Sequence, residues 1–186
     1  MGLTSRLANG ANFGGGVSTG KTGFDNCGFA NVDSPQAARF CNYDLPFADQ
    51  SQFKLHGLWP LPADFQVSAT FQSNPGRPAL AANYNVPNAV IAPSLGRSLS
   101  GGANATINLV TPATLYGARI NQFDIRAAKL LKFGRMRSQF SVDIYNLLNS
   151  DATQTYNQTY VLNGPWLTPT LILPARFAKL TVQLDF

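Results

Sequence analysis

The chain has 186 residues and a net charge of +5, and 45% of it is hydrophobic while only 12% is charged. Soluble globular domains carry about 25% charged residues, so the usual charged surface is missing. The 16 Gly and 12 Pro favour strands and turns over long helices. No run approaches the roughly 18 apolar residues of a transmembrane helix, which leaves a membrane β-barrel open, because its strands alternate and average out in hydropathy.

Taken in chain order, residues 1–10 hold one Arg and no apolar run, so no signal peptide is expected there. A weak, Gly-rich strand is predicted over 11–20. Residues 52–59 place Phe53, Leu55 and Trp59 on one face and Lys54 and His56 on the other. Residues 65–73 set Phe65, Val67, Ala69 and Phe71 against Gln66, Ser68, Thr70 and Gln72. The segment 121–133 alternates through Phe123, Ile125, Ala127, Leu131 and Phe133, with Lys129 interrupting the apolar face and suggesting a bulge. Residues 138–148 repeat the pattern with Phe140, Val142 and Ile144 against Ser141, Asp143 and Tyr145. The closing strand, 177–186, puts Ala178, Leu180, Val182, Leu184 and Phe186 on one face and Lys179, Thr181, Gln183 and Asp185 on the other. The expectation is one all-β unit over 1–186, an antiparallel up-and-down meander of about six strands.

Short connections at 7–10, 60–64 and 134–137 alternate with long ones at 21–49, 74–120 and 149–169. In a meander this puts all short turns at one end and all long loops at the other, the asymmetry of outer-membrane barrels with short periplasmic turns and long extracellular loops. With those strand directions, Trp59, Phe65, Phe133, Phe140 and Phe186 fall near the short-turn rim and Phe53, Phe71 and Phe123 near the other, all on the apolar face. That matches the two aromatic girdles of a membrane barrel, separated by about 15–20 Å from Phe65 to Phe71.

Cys27 and Cys41 lie in a Gly, Asn and Asp-rich stretch without ligands for a zinc site, which favours a disulfide, and with it an oxidising compartment, over two free thiols. The positive charges are scattered except for Lys129, Lys132, Arg135 and Arg137, which bracket a tight turn; solvation explains them, and no nucleic-acid partner is inferred. Residues 15–22 fit the phosphate-binding pattern G-x-x-x-x-G-K-S/T, but no buried strand precedes them and no helix follows. Residues 53–60, FKLHGLWP, resemble the first active-site motif of secreted acid ribonucleases. His56 is the chain's single histidine, so the two-histidine proton relay of that family cannot be assembled. No catalytic constellation, cofactor or metal site is expected, and the chain is read as a non-enzyme.

Segments 14–27 (GGGVSTGKTGFDNC), 66–76 (QVSATFQSNPG), 121–135 (NQFDIRAAKLLKFGR), 142–150 (VDIYNLLNS) and 174–186 (PARFAKLTVQLDF) together resemble, in order, the last part of TonB-dependent receptors. The resemblance is to the large receptors with a carboxypeptidase-regulatory-like N-terminal extension. It implies the cell outer membrane, a barrel of about 22 strands, a plug that contacts TonB, and energy-coupled uptake of a nutrient such as a siderophore or glycan. Plug, TonB box and signal peptide are not found in these residues, so a fragment without autonomous transport is expected. Its partners would be outer-membrane lipid, the barrel-assembly machinery reading Ala178, Leu180, Val182, Leu184 and Phe186, and TonB only through the missing plug. Lys54, Asp124, Arg126, Asp143 and Lys179, on the opposite face, either line a substrate path or pair across strands inside the barrel. The competing reading is a secreted or surface β-sandwich that binds ligand through its loops; there Phe65, Val67, Phe71, Phe123 and Ile125 would touch a second sheet instead of lipid.

Overall fold

A computed structural model describes residues 1–29, 35–100, 104–134 and 136–185. Its strands are β1 (Gly2–Arg6), β2 (Asn12–Ser18), β3 (Thr22–Asp25), β4 (Asn42–Leu45), β5 (Gln52–Leu61), β6 (Phe65–Asn74), β7 (Asn83–Pro87), β8 (Asn104–Asn108), β9 (Ile120–Phe133), β10 (Met136–Tyr145), β11 (Thr153–Tyr156), β12 (Pro169–Ile172) and β13 (Phe177–Asp185). Among the described residues three short α-helices, α1 (Pro35–Arg39), α2 (Phe47–Gln50) and α3 (Asn88–Leu95), lie between them, and no helix is long and apolar enough to cross a membrane.

Seven strands form one antiparallel sheet in the order β1-β2-β5-β6-β9-β10-β13. Every neighbour in space is the next sheet strand in sequence, which makes it the up-and-down meander that the alternating patterns predict. It is open, with β1 and β13 as its two edges, and is not a closed barrel. The register keeps parity across the whole sheet. Trp59 stands opposite Val67, Val67 opposite Ala127, Ala127 opposite Val142 and Val142 opposite Leu180. A slip of one residue would turn an entire strand over, so one continuous apolar face specifies the register.

The sheet departs from the sequence reading in four places. β1 is a seventh strand that the six-strand expectation omits; its five residues contain one bulky apolar side chain, Leu3, too little for a period of two to register. No bulge occurs at Lys129, which pairs with Phe65 on one side and Phe140 on the other in unbroken ladders. β10 stops at Tyr145, short of the predicted 148, because Asn146 takes a left-handed φ of 50°. Pro60, expected in a turn, is inside β5. Pairing with β2 ends at Asn12 opposite Leu58, so the missing amide of Pro60 falls where β5 has one neighbour only.

The connections sort as predicted, with tight turns at 7–11, 62–64 and around Gly134 at one end and long segments 19–51, 75–119 and 146–176 at the other. Each long segment, read from sequence as a loop, carries its own two-stranded ribbon: β3-β4, β7-β8 and β11-β12. These four-to-five-residue ribbons are rich in Asn and Thr; β4, β7 and β8 do alternate, but over only four or five residues, too short a stretch to stand out within a long connection.

Among the described residues no second sheet stacks on the seven-stranded one. Among the described residues the buried apolar side chains are Ala11, Leu45, Leu80, Ala82, Ala128 and Leu173, and four of these six lie in the long connections. The sheet has no core of its own. Phe65, Val67, Phe71, Phe123 and Ile125 meet no second layer, which is the arrangement a β-sandwich would need.

Candidate functional site

The sheet presents two chemically opposite faces and a layer of folded loops. The apolar face carries, strand by strand, Leu3 and Phe13 at the β1 edge, through Leu55, Trp59, Phe65, Phe71, Phe123, Ile125, Phe140 and Val142, to Leu180, Val182 and Leu184 at the β13 edge. Many of these are open to the surroundings: Leu180 is 78% exposed, Phe133 60% and Leu55 57%. Isolated apolar residues on a surface need no explanation, but a continuous seven-strand face of them marks an interaction surface.

The aromatic residues singled out from sequence occupy two bands on that face. Phe71 stands directly opposite Phe123, with Phe53 in the next same-face row toward the long connections. At the other end Phe65, Lys129 and Phe140 share one cross-strand row. Trp59 lies one such row further in and Phe133 two rows further out, because the β9-β10 hairpin outruns β5-β6. Phe186 lies outside the described residues, whereas Ala178, Leu180, Val182 and Leu184 line the outward parity of β13 against Ile144, Val142, Phe140 and Ser138.

The opposite face gathers three of the five candidate lumen charges into one row: Arg126, Asp143 and Lys179, contributed by β9, β10 and β13. Arg126 grips Asp143 with two nitrogens, Nε on Oδ1 and Nη2 on Oδ2 at 3.1 Å. Asp143 is only 3% exposed beneath that fork. Bidentate Arg-carboxylate geometry is the strong form of ion pair. Asp124 instead holds the end of β10, accepting both Gln122 Nε2, at 3.0 Å, and the Asn146 amide, at 2.8 Å. Lys54 sits apart, between Gly16 and Gln72. A shallow depression lined by Ser68, Thr70, Asp124, Arg126, Asp143 and Tyr145 lies over this cluster. Next to it Tyr145 stacks on Phe177 at 4.8 Å between ring centres, an aromatic pair on the polar face that alternation alone does not reveal.

The long connections are knitted together by hydrogen bonds at high sequence separation. Arg119 donates to the Ser51 carbonyl at 2.9 Å and the Ser73 carbonyl at 3.2 Å, and covers the Phe53 ring. Gln36 of α1 and the Asn108 backbone of β8 bond in both directions. Trp166 Nε1 donates to the Ala81 carbonyl, the Ala81 amide donates to Gln158 Oε1 at 2.8 Å, and Tyr84, Tyr160 and Trp166 meet edge to face. Asn146 binds the last segment: its Nδ2 reaches the carbonyls of Ser150 and Pro174, both at 2.8 Å, while its Oδ1 accepts the Ser150 amide. The one legible signal for this knot is the repeated Asn in NLLN, since Asn tolerates the left-handed φ seen at both Asn146 and Asn149. Cys27 and Cys41 are joined by a disulfide in the first long connection.

The two motif matches lie in β2 to β3 and in β5. His56 lies on the polar face with its ring over Gly14, where an added Cβ would come within 2.6 Å of it; Gly57 on the other face leaves room for the Phe13 ring, which leans on Trp59 at 5.9 Å. Residues 15–22 run from β2 directly into the strand β3 and do not open a helix, and Lys21 pairs with Asp44 at 2.6 Å. Among the described residues no group of three or more His, Cys, Asp or Glu is placed to hold a metal ion. Comparison with protein-family models, with curated proteins and with solved structures finds no match to this chain.

Proposed function

We propose that the chain forms seven membrane-spanning strands and three external loops of an outer-membrane β-barrel of the TonB-dependent receptor kind, contributing to the uptake of a nutrient such as a siderophore or glycan. The observation that carries this reading is the uncovered apolar face: a single-layer meander with no core of its own needs an apolar medium on one side. Segregation of short turns from long connections supports it, since a soluble sheet has no reason to sort them. The receptor class rests on the five ordered sequence segments that resemble such receptors. The row of Arg126, Asp143 and Lys179 then faces the lumen, and TonB is reached only through a plug encoded elsewhere.

Strand direction adds a requirement. β1 and β13 both run from the long-connection end to the short-turn end, so they cannot pair antiparallel with each other. Closing this sheet into an antiparallel barrel takes an odd number of further strands.

The two tryptophans supply the test, because Trp59 is on the apolar face and Trp166 in the loop layer. In phosphatidylcholine vesicles with brominated acyl chains, Trp59 emission should be quenched in a Trp166→Phe background, and Trp166 emission should persist in Trp59→Phe. Equal quenching of both, or a monodisperse soluble monomer without amphiphile, would sink the membrane reading. Receptor membership is tested separately by the coding sequence upstream, which should specify a plug.

A further inference from the structure

Lys129 is the one charged residue among the described strand residues on the apolar face. It sits in one row with Phe65 and Phe140, level with the turn 62–64. Its stem bends toward that turn, bringing the ammonium 4.2 Å from the centre of the Phe65 ring and into a hydrogen bond with the Ala63 carbonyl. An ammonium has three N-H donors. One is taken by Ala63 and the charge is partly met by the Phe65 ring face, which leaves donor capacity at the rim.

Beside it runs an apolar groove floored by Ala127 and walled by Phe65, Phe140, Leu180 and Val182. The groove exists because Ala127 is small between larger neighbours, with Val67 and Val142 as its cross-strand partners. A cation at the mouth of an apolar channel, at the edge of a face on which no other described strand residue is charged, complements a molecule with an anionic head and a hydrocarbon tail. We infer that this groove is a binding site for an anionic phospholipid of the short-turn leaflet, with the phosphate on Lys129 Nζ and an acyl chain over Ala127. The inference rests on the membrane reading of the apolar face. A second copy of the chain does not meet the same requirement, since among the described strand residues its own apolar face would bring another Lys129 and no anion.

Trp59 reports on the site from the adjacent row, opposite Val67, which is itself opposite Ala127. The chain with Trp166→Phe is reconstituted in phosphatidylcholine vesicles carrying a minor share of either brominated phosphatidylglycerol or brominated phosphatidylcholine. Association judged from Trp59 quenching should favour phosphatidylglycerol about fivefold, the discrimination expected of one lysine near a membrane surface. Lys129→Met should bring the ratio to about one, Lys129→Arg should keep it, and Lys132→Met, on the other face of β9, should leave it unchanged. No preference in the parent, or the same preference in Lys129→Met, overturns the site. Absence of quenching by either lipid overturns the membrane reading instead, so the two failures are distinguishable.

Discussion

The seven-stranded sheet and the loop layer above it are stabilised in opposite ways. The sheet has regular pairing across all seven strands and almost no buried apolar side chain, whereas the connections have little regular structure yet hold Leu45, Leu80, Ala82 and Leu173, a disulfide and hydrogen bonds between segments far apart in sequence. Hydrophobic burial is the dominant favourable term in folding. A sheet that buries so little against its own chain must bury its apolar face against something else, while loops with their own small core are preorganised without it. The two regions should therefore respond to different perturbations.

The largest expected effect comes from placing a charge on the apolar face. Val142→Arg, in the row with Ala127 and Leu180, should lower the unfolding free energy in lipid vesicles by about 2–4 kcal/mol, the cost of arginine at a barrel's lipid-facing midplane. The matched change Val161→Arg, at an exposed loop position, should stay within about 0.5 kcal/mol. Urea titration followed by tryptophan emission measures both, and equal small costs would place both regions in water.

Next is the covalent tie. Cys27→Ser opens a closed segment with a sequence separation of 14, which should cost about 3 kcal/mol on the chain-entropy account. The loss should appear as faster hydrogen exchange within 19–51 and leave the amides of β9 and β10 unchanged. Acceleration across the sheet would mean that the two regions unfold as one.

Asn146→Ala removes three hydrogen bonds of 2.8 to 2.9 Å from a side chain in a residue that is 2% exposed. A loss of about 2 kcal/mol is expected from the three bonds together. Protease sensitivity should rise in 146–176 and not in the other two connections; uniform sensitivity would argue against three separately secured loops.

The smallest effect is a pH response confined to the loop layer. Burial, and then the nearby Asp49 carboxylate, push the Tyr116 phenol above its ordinary value of 10.0. The folded loops thus favour the protonated phenol. The stability this contributes is fully present below the ordinary value and is lost as pH rises through the raised one. Tyrosinate absorbance should show one late-titrating tyrosine that shifts downward in Asp49→Asn. A titration unchanged by that substitution would remove Asp49 from the contact.

Much of the sheet was legible because its signal is local. A period of two in β5, β6, β9, β10 and β13 states which side chains share a face before any partner is known, and Gly134 or the Asn9-Gly10 pair marks a turn through its own φ preference. The candidate site was legible only in part. Parity places Lys54, Asp124, Arg126, Asp143 and Lys179 on one face, but it does not say that Arg126 would grip Asp143, that Asp124 would hold the Asn146 amide, or that Lys54 would stand apart.

Sequence by itself determined the two-faced meander and the sorting of short turns from long connections, since both follow from side-chain alternation and turn chemistry within a few residues. Tertiary structure alone decided the rest: that β1 joins as a seventh strand, that the connections fold into ribbons around their own small core, and that Lys129 bends to the rim to meet Ala63 and Phe65. Each of these depends on which distant segment lies alongside. That is set by the summed register of the ladders and by hydrogen bonds between residues tens of positions apart, neither of which leaves a local period to read.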